Sequence, residues 1–302
     1  MRFANRRLAP ALLALTAAAE PPPPTIQFTA PVEHRLIEGI ATDGRRIWLS
    51  SVLDRMILER EGGRFRTIPL PAGVANPLGI AWDAQRRWLW IATDCPGLPG
   101  IVRCERGALV AIDREGTLRA QAIAEAPFHP GDVSVRGGRV FVSDSQSGAV
   151  FVWNPVAATL DPVVPLGVGR SAQGSVQIGD RLFVADYRYG IARVDLHTGA
   201  RALLPLPDGK PLNGVDGLVR AGAWLVGVRN GAGVPAVVAF KVYDGHLTKM
   251  RLLAAGGLLK DPTQIAVSAD RLLLVGEAGW DAAAAGSPRA DCAPILALPL
   301  PR

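Results

Sequence analysis

The sequence predicts an all-β fold, a six-bladed β-propeller whose sixth blade is closed by the N-terminal strand. Three observations favour this fold: a motif of two short apolar runs recurs six times, turn-forming residues are abundant throughout, and one isolated apolar run precedes the first repeat. The chain contains 33 Gly and 25 Pro in 302 residues, which disfavours a helical fold. Its 49% hydrophobic content excludes a disordered chain.

The first 19 residues have the composition of a secretory signal peptide. Arg2, Arg6 and Arg7 precede an apolar run from Leu8 to Ala19 that ends in small residues. This run is shorter than the ~20 residues that a membrane-spanning helix needs. We therefore expect a periplasmic or secreted protein with no stable membrane span after cleavage; retention of the segment as an N-terminal anchor is the alternative.

A Pro-rich spacer is predicted at residues 20–24, and a single domain at residues 25–302. The net charge of +6 falls to +3 when the three arginines of the signal are removed. This small surplus, without a dense block of Lys or Arg, gives little support for nucleic-acid binding. A small-molecule partner is expected instead.

The cysteines indicate a stapled loop. Cys95 and Cys104 flank a stretch rich in Pro and Gly, and in an exported protein we expect them to form a disulfide that closes it. No His follows at a zinc-binding spacing, so a zinc site is disfavoured. Cys292 would remain as an odd, buried thiol.

The repeats begin at residues 38, 78, 131, 174, 216 and 263, at intervals of 40, 53, 43, 42 and 47 residues. The one long interval contains the loop between Cys95 and Cys104, which an insertion explains. The apolar runs alternate with period two and are bounded by turn residues, as strands are, and a third strand often follows. Units of three or four strands every 40–50 residues or so are typical of propeller blades.

Ring closure is also predicted. Residues 25–30 form a lone strand before the first repeat, whereas the sixth repeat has only residues 294–298 after its first two strands. The N-terminal strand can complete the sixth blade, which removes two exposed sheet edges.

Equivalent blade starts in a propeller converge on the central channel. The residues at these six positions are Glu38, Leu78, Gly131, Gly174, Asp216 and Thr263. Two carboxylates that face a narrow channel repel each other, so one must be protonated or a cation must lie between them. Calcium suits such a place because it takes ~6–8 oxygen ligands. Gln173 and Asp132 flank two of the positions and could add oxygen atoms.

These motifs resemble the gluconolactonase/regucalcin family of six-bladed propellers over residues 25–302. Glu38 of a Glu-Gly pair and Asp216 of an Asp-Gly pair match the family's first-blade and fifth-blade motifs. The resemblance implies a divalent metal, usually calcium, held by Glu38 and Asp216, with Asp216 also the general base. The family's fourth-blade Asn is replaced by Gly174, so Gln173 would have to supply that ligand by a one-residue shift.

Two functions follow. The first is a metal-dependent hydrolase of a sugar lactone or related ester, in which the metal polarises the carbonyl and Asp216 activates a water. Asp132, His129 and Thr263 are candidates for substrate binding, with Trp280 or Tyr187 as an apolar wall. The second is a non-catalytic propeller that binds a ligand or protein and uses a metal only structurally, or not at all.

Several of these residues could have a structural role instead of a chemical one. Glu38 could instead bond a backbone amide at the start of its blade. His129 could be an acid/base partner of Asp132 or a capped histidine in a rim loop. The acids that end three second strands are expected to bond local backbone in turns; they are Asp94, Asp144 and Asp186.

Overall fold

Six four-stranded antiparallel sheets contain nearly all of the regular secondary structure of the described residues. The computed structural model describes residues 23–104, 106–125, 127–231, 233–287 and 293–302. The predicted signal peptide at residues 1–19, the first residues of the predicted spacer and Cys292 lie outside these ranges. The six-bladed β-propeller predicted from the repeats is confirmed.

Each of the first five blades is formed by four consecutive strands. Blade 1 contains β2 (Ile37–Thr42), β3 (Ile47–Ser51), β4 (Met56–Glu61) and β5 (Arg64–Pro69), after β1 (Thr25–Thr29). Blade 2 contains β6 (Asn76–Asp83), β7 (Trp88–Asp94), β8 (Ala108–Ile112) and β9 (Leu118–Ala122). Blade 3 contains β10 (Pro130–Arg136), β11 (Arg139–Asp144), β12 (Val150–Asn154) and β13 (Thr159–Val164).

The second half of the ring has the same order. Blade 4 contains β14 (Ala172–Ile178), β15 (Arg181–Asp186), β16 (Gly190–Asp195) and β17 (Arg201–Leu203). Blade 5 contains β18 (Val215–Ala221), β19 (Trp224–Arg229), β20 (Ala236–Tyr243) and β21 (His246–Ala255). Blade 6 contains β22 (Ile265–Val267), β23 (Arg271–Val275) and β24 (Pro294–Pro299), with the short helix α1 (Trp280–Ala284) between the last two strands.

The N-terminal strand closes the ring, as predicted. β1 pairs with β24 antiparallel, with Thr25 opposite Ala297 and Thr29 opposite Pro294. The first and last parts of the described chain therefore share one sheet, and the edge of β24 is covered. Among the described residues, no helix is long and apolar enough to span a bilayer.

The apolar core lies between neighbouring blades. Trp48 of blade 1 stacks on Trp82 of blade 2 with ring centroids 4.6 Å apart, and Trp90 of blade 2 lies at the same distance from Trp153 of blade 3. Such large side chains bury much apolar area, which holds adjacent blades face to face. Outer strands are more exposed: in β5 only one residue of six is buried.

The strand register locates the equivalent channel positions. Ile37, Ala172 and Val215 each pair with the last residue of the second strand in their blade, and an irregularity follows each of them. The next residues are therefore equivalent to one another: they are Glu38, Gln173 and Asp216. The fourth blade thus presents Gln173 at this position, and the assignment of Gly174 from the sequence was wrong by one residue.

The glycine after the channel residue packs against the neighbouring blade. A Cβ on Gly174 would lie 2.3 Å from Leu218 N and 2.8 Å from Asp216 O, and one on Gly39 would lie 2.5 Å from Leu78 O. Real Cβ atoms do not approach backbone so closely, because neither side can move without shifting a blade. This contact explains why position 174 is occupied by glycine and why the preceding residue, Gln173, presents its side chain to the channel.

We expect Gly174→Ala to lower the free energy of unfolding by about 3 kcal/mol, the upper part of the range for overpacked sites. Urea unfolding followed by tryptophan fluorescence measures the change. Gly97→Ala is the matched control, since a Cβ there meets nothing within 4 Å and its φ is not positive. Equal stability of the two variants would contradict the close approach of blades 4 and 5.

Candidate functional site

A cavity of about 640 Å³ lies at the end of the channel where the inner strands begin. All six register-equivalent residues line it, and we call it the upper cavity. They are Glu38, Leu78, Gly131, Gln173, Asp216 and Thr263. The structure therefore brings together four of the six residues predicted from the sequence for catalysis, metal binding or substrate binding: Glu38, Gln173, Asp216 and Thr263.

Loops between the strands form the remaining walls. The predicted Cys95–Cys104 disulfide is present, and the loop that it closes contributes Pro96 and Gly97 to the lining. Tyr187 and Trp280, proposed from the sequence as apolar walls, both line the cavity. The cavity is thus walled by aromatic rings and a covalently closed loop.

Glu38 is buried beneath Trp280. The indole Nε1 of Trp280 donates to Oε2 of Glu38 at 2.6 Å, and Thr263 Oγ1 donates to the Glu38 carbonyl oxygen at 2.8 Å. The Glu38 carboxylate therefore bonds an indole N–H and not the backbone amide offered as its structural role. Burial is the main cause that raises the pKa of Glu38 well above its usual value, and the charge of Asp216 raises it further.

Asp216 is oriented by Asn230. The amide Nδ2 of Asn230 donates to Asp216 Oδ2 at 3.0 Å and to the Pro262 carbonyl oxygen at 2.7 Å. Tyr187 Oη donates to Asn230 Oδ1 at 2.8 Å, which fixes the direction of that amide. Because all of its polar atoms are engaged, Asn230 holds the Asp216 carboxylate in one orientation.

Burial raises the pKa of Asp216 to about 7, although the bond from Asn230 lowers it. The charges of Asp132 and Asp261 add to the increase. A carboxyl group with this pKa is ionised in part of the molecules at neutral pH and can accept a proton from water. A pKa near the working pH is what general acid–base catalysis favours.

The cavity offers oxygen ligands to a hard cation. Glu38 and Asp216 each use one carboxylate oxygen on an N–H donor, and the other oxygen accepts no hydrogen bond from the described residues. Gln173 donates its Nε2 to Ser171 Oγ at 3.2 Å, which leaves its carbonyl oxygen for another partner. In the described part of the chain no group of three or more His, Cys, Asp or Glu could hold a metal.

Asp132 does not line the upper cavity with these residues. Asp132 follows Gly131, and the equivalent positions in blades 1 and 4 are occupied by Gly39 and Gly174. Its side chain therefore enters the channel one residue later along the inner strand, where it lines a second cavity. Its backbone neighbour Val133 donates an N–H to Oδ1 at 2.7 Å. Burial raises the pKa of Asp132 to about 7.

His129 contacts Asp94 rather than Asp132. Its Nδ1 lies 3.1 Å from Asp94 Oδ2, and its backbone N–H donates to Asp144 Oδ2 at 3.0 Å. A role for His129 as the acid/base partner of Asp132 is therefore wrong, and a histidine held in a rim loop is what the structure contains. Asp144 also accepts from the backbone of its own turn, as predicted.

Asp94 accepts the backbone N–H of Cys95, as expected for a turn residue, but it also has contacts outside its turn. It lines the upper cavity and is bonded by His129, while the sulfur of Cys104 lies 3.8 Å from its Oδ1. Burial raises the pKa of Asp94 despite the contact with His129. Asp94 thus adds a further acid to the cavity wall.

Sequence reasoning missed Asn230 and Asp261. Asp261 Oδ2 accepts the backbone N–H groups of Gly279 and Trp280 at 3.0 and 2.9 Å, which fixes the start of α1 and with it the indole above Glu38. Both residues lie in loops outside the repeated motif. The sequence signal that was present is the Asn230-Gly231 pair: a Cβ on Gly231 would lie 2.3 Å from the Tyr187 ring.

No protein-family model and no curated protein matches the sequence. Among solved structures, the calcium-binding protein regucalcin from Agrobacterium tumefaciens is similar with a TM-score of 0.64 and 18% identity, over 93% of this chain and 94% of that one. The PQQ-bound aldose sugar dehydrogenase from Streptomyces coelicolor gives a TM-score of 0.62 and 13% identity, over 93% of this chain and 100% of that one.

Virginiamycin B lyase from Staphylococcus aureus is also similar, with a TM-score of 0.57 and 13% identity over 91% of this chain and 98% of that one. The similar structures thus include a calcium-binding protein, a dehydrogenase and a lyase. One fold supports such different functions because the functions depend on residues in the site. At these identities the similarity establishes the propeller fold alone.

Proposed function

We propose that this chain is a metal-dependent hydrolase of a sugar lactone or related ester, similar to gluconolactonases, and that it acts in the periplasm or outside the cell. One observation carries the proposal: the two carboxylates and the amide of Glu38, Asp216 and Gln173 occupy equivalent positions on three blades and face one cavity. The export signal expected from residues 1–19 supports the location.

The cation of this proposal is divalent, with calcium the expected ion, and its support is that two carboxylates and one amide line the same cavity. Glu38, Asp216 and Gln173 would hold it through hard oxygen atoms, with water completing a shell of about 6–8 ligands. A cation there would also remove the repulsion that raises the pKa of Glu38. When bound, it supplies Lewis-acid polarisation of the lactone carbonyl.

The protein's own groups perform the proton transfers. Asp216 accepts a proton from water as the water oxygen bonds to the lactone carbonyl carbon. The bond between that carbon and the ring oxygen then breaks, and the proton held by Asp216 passes to the departing ring oxygen, giving the open hydroxy acid. Asn230 keeps the Asp216 carboxylate aimed at the cavity, because it is itself fixed by Tyr187 and Pro262.

The walls suit a substrate with a polar ring. Tyr187 and Trp280 line the cavity and offer aromatic surface to the C–H faces of a sugar, while Thr263 and Gln173 provide polar groups between them. The upper cavity is therefore matched to a compact, hydroxylated molecule.

A panel of aldonolactones tests the proposal. The purified protein is treated with a chelator, then supplied with calcium, manganese or zinc, and acid release is followed with a pH indicator. We expect turnover of at least one lactone only after a cation is restored. The same samples are melted, since a cation that binds only the native state must raise the melting temperature.

Turnover that is unchanged by the chelator would contradict the metal-dependent mechanism. A cation-induced rise in melting temperature with no turnover on any lactone would instead support the alternative, a non-catalytic propeller with a structural metal.

A further inference from the structure

The channel has a second cavity, of about 460 Å³, at the end where the inner strands finish. We call it the lower cavity. It is lined by the later residues of the same six inner strands, and none of its lining residues also lines the upper cavity. The two cavities are therefore separate sites on opposite faces of the ring.

Asp132 and Gln264 separate the two cavities. They belong to blades 3 and 6, which are opposite in a six-membered ring, and both line the lower cavity. The Gln264 side chain interacts with the Asp132 carboxyl group and lowers its pKa, so these two polar groups lie close together in the channel. A molecule in the lower cavity thus meets a polar floor and does not reach Asp216.

The charges of the two cavities are opposite. Five acids and a single lysine line the upper cavity. The lower cavity has Arg136 on blade 3 and Arg220 on blade 5, against the single acid Asp132 on its floor. Arg220 donates its Nε to the Gly222 carbonyl oxygen, and neither arginine has an acidic partner among the described residues.

The rest of the lower cavity is apolar or weakly polar. Ile40, Ile80 and Trp82 line it on blades 1 and 2, and Val267 on blade 6. Trp82 is held by its stack on Trp48, so this wall is preformed. The lower cavity therefore has two guanidinium groups on one side and an apolar wall on the other.

We propose that the lower cavity binds a small organic anion with an apolar body, an aromatic carboxylate for example, whose carboxylate is held by Arg136 and Arg220. Guanidinium groups match the planar geometry of a carboxylate, and low-dielectric walls concentrate the field of the two charges in the cavity. The apolar body lies against Trp82 and its neighbours. The site is distinct from the proposed lactone site and does not depend on it.

Calorimetric titration with 2-naphthoate tests the proposal, and 2-naphthalenemethanol is the neutral probe of the same shape. We expect naphthoate to bind one molecule per chain, and the alcohol to bind at least about tenfold more weakly, the effect of losing one charge-assisted hydrogen bond. Added salt is expected to weaken the binding of naphthoate alone.

Variants then locate the site. Arg136→Gln and Arg220→Gln are each expected to weaken naphthoate binding by about tenfold, and the double variant to abolish it. Arg64→Gln, which removes an exposed charge on an outer strand, is the matched control, and Asp216→Asn tests independence from the upper cavity. Both should bind naphthoate as the unmodified protein does.

Three results would overturn the proposal. They are equal binding of the acid and the alcohol, unchanged naphthoate binding by the double arginine variant, and no binding of naphthoate at millimolar concentration. Loss of binding in Asp216→Asn would place the probe in the upper cavity and would overturn it as well.

Discussion

Asp216→Asn is expected to lower the kcat for lactone hydrolysis by about 10²- to 10⁴-fold, the range that a positioned general base contributes. The amide cannot take the proton of the attacking water. It does keep an oxygen that can accept the hydrogen bond from Asn230, so the local structure is preserved. Initial rates on the best lactone of the panel, at saturating cation, measure the effect.

Asp180→Asn is the matched control for this variant. Asp180 is a largely exposed aspartate near His197 and lines neither the upper nor the lower cavity, so its replacement removes the same charge outside both. We expect its kcat to match that of the unmodified protein. If Asp216→Asn retained turnover within about twofold, no transition-state role could be assigned to its carboxylate.

The melting temperature separates a chemical effect from misfolding. Because burial raises the pKa of Asp216 to about 7, its ionised form is unfavourable in the metal-free protein. Replacement by the neutral amide should therefore leave the melting temperature unchanged or raise it. A variant that is stable yet inactive assigns the loss to catalysis.

Much of the fold was predictable because the repeat is local. Each blade repeats two strands around one turn, so a six-fold pattern and its period are written directly in the order of apolar residues. The closing role of residues 25–30 followed from counting strands, and β1 does pair with β24. Such features need no knowledge of how blades pack.

The strand register of blade 4 was harder to predict from the sequence. Glu38 and Asp216 are acidic and easy to align, whereas Gln173 and Gly174 both look compatible with the channel position in sequence. Only packing distinguishes them, because a side chain at 174 would meet the backbone of blade 5. The same one-residue step moves Asp132 into the lower cavity.

The supporting residues could not be found from the repeat at all. Asn230 and Asp261 lie in connections that differ between blades, and their roles depend on contacts with Tyr187 and Trp280 far away in sequence. Loops that carry function on a regular scaffold commonly have this property. Their geometry is set by the ring as a whole.

The free energy of unfolding of the metal-free protein is expected to fall as pH rises from 5 to 8. Asp132 has a pKa of about 7 in the folded protein against an ordinary value of 3.8, so between these values the native state holds more protons than the unfolded state. Ionising Asp132 alone costs on the order of 4 kcal/mol. Glu38 and Asp216 shift in the same direction.

Urea unfolding in the presence of a chelator, at several pH values, measures this decline. Carboxylates whose pKa is lowered by folding, such as Asp83, do not contribute to this decline. The stability that they add is lost only when the pH falls below their ordinary pKa, outside the range from pH 5 to 8. Asp132→Asn should reduce the pH dependence of the free energy of unfolding by the share of about one bound proton. The variant should also be more stable than the unmodified protein at pH 8. Asp180→Asn should keep the full slope, and a flat profile in the unmodified protein would contradict the unfavourable burial.

Calcium then distinguishes the acids from one another. A cation held by Glu38 and Asp216 stabilises their ionised forms. Saturating calcium should therefore remove the part of the decline in unfolding free energy that these two residues cause, and it should raise the melting temperature most at pH 8. Asp132 lines the other cavity, and its share should persist in calcium unless the residue is replaced. A calcium effect that is equal at pH 5 and pH 8 would exclude these two carboxylates as its ligands, since protonated acids bind calcium poorly.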